Sequence, residues 1–146
     1  MKLTEHFSLE ELTFSQTATR HGIDNTPSDE VLANLRGLAN FLEEIRRIVG
    51  RPIIVTSGYR SPELNAVVGG AKHSAHIEGR AADIISPSFG SIPDLAERIA
   101  IQDLEFDQII LEFGRWVHVA VSESPRRQIL TAIRGDNGTE YKTGLV

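Results

Sequence analysis

Ser57–Asp83, SGYRSPELNAVVGGAKHSAHIEGRAAD, is the densest chemical text in the chain. It holds an arginine in a glycine-flanked turn (Arg60), two histidines three apart (His73 and His76) and Asp83, seven beyond the second. A further histidine, His118, stands alone downstream in WVHVAV. Asp83 follows two alanines and precedes two isoleucines, which suits a short buried strand. A carboxylate there must be paired or metal-bound to offset its desolvation. His118 alternates with Trp116 and Ala120, so these share one strand face, opposite Val117, Val119 and Val121. Gly79 fits a tight turn or a close backbone approach to the site. Zinc takes imidazole nitrogen and carboxylate oxygen, and a catalytic zinc keeps a fourth position open. His76, Asp83 and His118 would supply three ligands and leave that position free. A His…Asp pair at this spacing also suits a plain hydrogen bond or salt bridge. His73 suits a ligand, a supporting residue or a solvated loop residue.

Outside this stretch, 146 residues with 40% hydrophobic content suit one domain, 1–146, with a real core. The net charge of −5 and the lack of a basic stripe argue against a nucleic-acid partner. The chain has no cysteine, which excludes disulfides, thiolate metal sites and cysteine nucleophiles. His, Asp and Glu remain as the strong zinc ligands. The N-terminus lacks the charged-then-apolar pattern of a secretory signal, and no apolar run is long enough to span a bilayer. The expectation is a monomer made in the cytoplasm, without a membrane partner.

Ser8 with Glu11 reads as a capping box opening a short helix through about Phe14, with Phe7 as its staple. Thr17–Thr26 reads as loop or turn, His6 as structural and His21 as solvated. Ser28 caps a long helix with Asp29 and Glu30 in its first turn. Val31, Leu35, Leu38, Leu42, Ile45 and Val49 recur at three and four, and the helix ends at Gly50. Glu43, Glu44, Arg46 and Arg47 read as its solvated face. Pro52–Thr56 reads as a strand, and Pro62–Val67 as a short helix closed by Gly69-Gly70, a flexible approach to the histidine loop. Ile92–Ile101 is a further helix packing Leu95, Ala96 and Ile99. Phe106–Glu112 and Trp116–Val121 form a hairpin. The tail offers Ile129, Leu130 and Ile133 for a final edge strand or short helix, with turns at Gly135 and Asn137-Gly138.

SAHIEGRAAD resembles the S-x-H-x-x-G-x-A-x-D signature of the zinc D-Ala-D-Ala peptidases, the M15 or LAS group. SGYRS is similar to that group's arginine motif and WVHVA to its second-histidine motif, in matching order and separation. The resemblance spans about His6–Val121 and is closest to the small bacteriophage and bacterial carboxypeptidase-like branch. It implies an α+β fold of the hedgehog/DD-peptidase type, with helices packed on a small, mostly antiparallel sheet and a zinc cleft. It implies Zn2+ held by His76, Asp83 and His118. Arg60 would bind a substrate carboxylate or polarise the scissile carbonyl, and Ser74 and Tyr59 join it as substrate-binding residues, Tyr59 either packing or hydrogen-bonding. The implied function is hydrolysis of peptidoglycan stem or cross-link peptides, by a phage endolysin or a bacterial wall enzyme that reaches its substrate after release or another delivery.

One departure bears on catalysis. Several members of the group place the catalytic acid three residues before the last histidine, where this chain has Arg115, which stays protonated. The nearest upstream acid, Glu112, is assigned as general base. A two-residue Gly114-Arg115 turn would pair Glu112 with Val117 and face it away from His118. A three-residue turn, Phe113–Arg115, would pair it with Trp116 on the face of His118. Otherwise Glu112 is a solvated hairpin residue, and the rival function is a non-catalytic zinc domain that binds peptidoglycan or a phage structural partner.

Overall fold

The computed structural model describes residues 1–146. Ser8 opens α1 (Leu9–Thr13) with a complete capping box. Ser15 caps α2 (Gln16–His21), which lies where the sequence reads as loop. QTATRH has no apolar stripe, and only Ala18 is buried. Its helix rests on the cap and on a left-handed Gly22 at its end.

α3 (Asp29–Val49) runs as its pattern predicts, from the Ser28 hydroxyl that accepts Val31 N–H to Gly50 at φ 72°. Leu35, Leu38, Leu42, Ile45 and Val49 are buried on one stripe, each contributing roughly 1.5–3 kcal/mol of hydrophobic stabilisation. Its polar face is not all solvated: Glu43 accepts from His6 N at 2.7 Å and meets His6 Nδ1 at 2.8 Å, which pins the N-terminal segment. α5, the helix Ile92–Ala100, buries Leu95, Ala96 and Ile99 beside α3. Arg98 donates to the Ile48 carbonyl near the end of α3.

Six strands form one sheet: β1 (Ile54–Ser57), β2 (Ala81–Ile85), β3 (Gln108–Glu112), β4 (Trp116–Ala120), β5 (Gln128–Gly135) and β6 (Gly138–Thr143), in the order β1-β2-β4-β3-β5-β6. α4 (Pro62–Val67) lies between β1 and β2 in sequence. The class is α+β. Neighbours pair antiparallel except β3 and β5, which run parallel. Ile84, Ile109, Leu111, Val117 and Val119 join α3 and α5 in one core cluster. The opposite face is free for chemistry. No helix is long and apolar enough to cross a membrane.

The tail departs from a lone edge strand or helix. It is a hairpin, with β5 inside the sheet and β6 at the edge. Asp107 sets the parallel pairing. Its carboxylate takes Arg126 Nε at 2.9 Å and Nη2 at 2.8 Å, and its carbonyl accepts Gln128 N–H at 2.9 Å. β3 and β5 therefore start from one anchored point and run the same way. Hydrogen bonding from Arg126 holds the Asp107 carboxyl below its usual range, against burial.

Candidate metal centre

The cleft face of the sheet carries Ser57, Asp83, His118, Ile110 and Leu130 as one cross-strand row. The register slips between Val55 and Ser57, and this irregularity puts Ser57 opposite Asp83. His76 comes from the loop before β2. Ser74 Oγ accepts its backbone N–H at 3.1 Å, and its carbonyl accepts Arg60 N–H at 3.1 Å. Gly79, at φ +74°, lets this loop pass α3, where a Cβ would lie 2.9 Å from Val31 Cγ1. Gly79 thus makes the expected turn, but its close approach is to α3 and not to the site.

His76, Asp83 and His118 are buried at 2%, 5% and 7% exposure. One ligand atom from each lies within 4.8 Å of the others. His76 Nε2 is 3.3 Å from Asp83 Oδ1, and His118 Nδ1 is 3.1 Å from the same oxygen. The ring contact at His76 Nδ1 is informative. It lies 2.7 Å from the Gly58 carbonyl, which can only accept, so Nδ1 carries the proton. Nε2 is then the ring nitrogen turned towards the Asp83 carboxylate, where it can ligate a metal. A backbone carbonyl on the remote nitrogen is the usual support for a ligating histidine. The donor set fits a divalent metal. Burial pushes the Asp83 carboxyl up, but hydrogen bonds and charge from His118 and His76 outweigh it and hold it well below the usual carboxylate range.

Arg60 stands beside this group, its Nη2 3.8 Å from Asp83 Oδ2. Burial pulls its guanidinium down, opposed by the charges of Asp83 and Glu112, and it stays protonated. Nothing in the sequence marks Asn65, yet it holds Arg60. It is 3% exposed, its Oδ1 accepts Arg60 Nη1 at 2.8 Å, and its Nδ2 donates to the Ala71 carbonyl at 2.9 Å. Asn25 is a second unforeseen support, tying Thr13 O, Tyr59 O and Ser61 N–H together. Gly70 is not slack in a flexible loop. A Cβ there would sit 2.1 Å from Asn65 Oδ1 and 2.6 Å from Arg60 Nη1. Gly70→Ala is therefore expected to displace Arg60 and cut kcat/KM by roughly tenfold or more, the scale on which misplaced groups act. Metal content, read by elemental analysis, should be unchanged.

The hairpin has the three-residue turn: Glu112 pairs with Trp116 across Phe113–Arg115, with Phe113 at φ 57° and Gly114 at φ 66°. Glu112 is thus on the face of His118, one strand over and one pair along. Trp116 Nε1 donates to Glu112 Oε1 at 2.6 Å. Oε2 has no protein donor. Burial pushes the Glu112 carboxyl up and Asp83 adds to it, while His118, the indole N–H and His76 oppose. Arg115 is exposed in the turn.

His76, His118, Arg60, Gly70, Glu112 and Trp116 border one cleft of about 920 Å³, lined also by His73, Ser74 and Tyr59. His73 is exposed and outside the ligand group. Ser74 supports the His76 backbone. Tyr59 is buried in the core cluster, so of its two expected roles packing is the one the structure shows. A substrate contact is left only to its cleft-facing edge.

A family model described as Peptidase M15 matches residues 5–120. The chain belongs to the Peptidase M15 family. M15 peptidases are metallopeptidases, and the matched residues contain His76, Asp83, His118, Arg60 and Glu112. No curated protein matches the chain.

Proposed function

We propose that this M15 chain is a zinc peptidase that hydrolyses peptide bonds in the stem or cross-link peptides of peptidoglycan. The observation that carries the reading is the buried group of ligand atoms from His76, Asp83 and His118, with His76 Nδ1 on the Gly58 carbonyl and Glu112 and Arg60 beside them in one cleft. His76, Asp83 and His118 would hold the ion. A zinc ion held there would supply Lewis acidity for water activation and carbonyl polarisation. Glu112 takes the proton of the attacking water at Oε2 and returns it to the leaving amine. The Trp116 N–H fixes the other oxygen, so the carboxylate keeps one orientation through both transfers. Arg60, braced by Asn65, offers its free N–H groups to a terminal carboxylate or to the developing oxyanion. Ser74 and the edge of Tyr59 bound the peptide on the same side.

The same reading covers D-Ala-D-Ala carboxypeptidase, L-Ala-D-Glu and DD-endopeptidase cleavage. It places the protein on the cell wall after release, as in phage lysis, or after another delivery. Its partner is the wall peptide alone. Purified wall incubated with the protein should release free amino groups, and a chelator should abolish the release until zinc is restored. No release in the zinc-loaded state would leave the non-catalytic zinc domain as the better reading.

A further inference from the structure

The β5–β6 hairpin lies beyond the family-matched residues, yet it walls the cleft. The register makes Trp116, Glu112, Ala132 and Tyr141 one row across four strands. Directly opposed residues project to the same face. Tyr141 therefore stands on the face of Glu112, separated from it by one small, buried residue, Ala132. Its side chain lines the cleft while 57% exposed.

Arg134, on the same hairpin, lines the cleft as well. Its Cζ lies 4.7 Å from the centre of the Phe113 ring, and Phe113 packs edge-on against Trp116 at 5.7 Å. Stacking fixes the guanidinium plane and leaves its N–H edges free. The other arginines of the cleft are committed: Arg126 to Asp107, and Arg60 to Asn65 and Asp83. Arg134 joins no ion pair and is exposed.

Arg60 reaches over β2 and Arg134 rises from β5, three inter-strand spacings away in the sheet order. Arg134 also lies four residues along β5 from Leu130, the β5 member of the Asp83 row, so with about 4.8 Å per strand and about 3.3 Å per residue, and Arg134 leaning towards Phe113, the two cations are roughly 14–19 Å apart. An extended peptide covers that span in about four to six residues, and a γ-linked glutamate lengthens the reach of a shorter one. The metal ligands and Glu112 lie between.

We propose that Arg134 and Tyr141 form a specificity subsite for an acidic peptide. Arg134 pairs with a free side-chain or backbone carboxylate of the peptide whose other charged group is held at Arg60, and Tyr141 packs on the same peptide over Ala132. The inference rests on the reading of the cleft as a peptide site.

Trp116 is the only tryptophan and lines the cleft, so its fluorescence reports occupancy without turnover. The full chain is titrated with two stem pentapeptides, L-Ala-γ-D-Glu-L-Lys-D-Ala-D-Ala and the same peptide with the D-Glu carboxylate amidated. The carboxylate form should bind roughly tenfold tighter, as a charge-assisted bond predicts. Arg134→Gln should collapse that ratio to near one, and Tyr141→Leu should weaken both peptides about equally. Both positions are exposed, and unchanged melting temperatures would show that the variants fold. Equal affinity for the two peptides in the parent protein, a preference retained by Arg134→Gln, or no fluorescence response to either peptide would overturn the subsite. Failure of wall hydrolysis is a separate result, which overturns the peptidase reading.

Discussion

His118→Ala protein is expected to lose most of its bound metal and all measurable hydrolysis. His118 offers one of three buried atoms that could hold a metal, and its Nδ1 is 3.1 Å from the carboxylate oxygen that His76 also faces. Loss of a mere supporting residue costs about 10–100-fold in metal affinity, and loss of a ligand should cost more. The paired control is His73→Ala. His73 is exposed and outside the ligand group, so its variant should keep one metal per chain. Metal binding contributes folding free energy. A chelator should therefore lower the melting temperature of the parent and of His73→Ala, and barely move that of His118→Ala. Equal metal content in the two alanine variants would reject the ligand set.

Two of the three candidate ligands are legible because a local pattern holds them. Asp83 sits in an unbroken apolar run and His118 in strict alternation with valines, so β2 and β4 can be placed and faced from sequence. α3 is legible for the same reason, since its stripe repeats over the whole helix. What stays hidden is non-local. Nothing periodic links Asn65 to Arg60, or Asn25 to Thr13, Tyr59 and Ser61, because those bonds join segments through single side chains. Ile129, Leu130 and Ile133 suit a strand, but its neighbour is chosen by the Arg126–Asp107 anchor. α2 is held by a cap and one alanine, which leaves no stripe to read. Gly70 reads as slack because a sequence shows a missing side chain and not the buried amide that needs the room.

Glu112→Gln should separate metal binding from catalysis. The substitution keeps size and hydrogen-bonding reach and removes only the capacity to take a proton at neutral pH. Trp116 N–H can still donate to the side-chain carbonyl of a glutamine, so the three-residue turn and the Trp116 contact should persist. Glu112 is outside the ligand group, so zinc content and melting temperature should stay near those of the parent. Hydrolysis should fall by roughly 100-fold or more, the usual scale for a lost general base. The loss should appear in kcat, because Glu112 acts on protons in flight while Arg60 and the cleft walls hold the peptide. The competing acids are poorly placed to move that proton. Asp107 is spanned by Arg126 through both oxygens, and Glu123 is exposed and paired with Arg80. A fall in KM-controlled binding with kcat intact would make Glu112 a substrate contact. Full turnover in the zinc-loaded variant would remove Glu112 from the mechanism altogether.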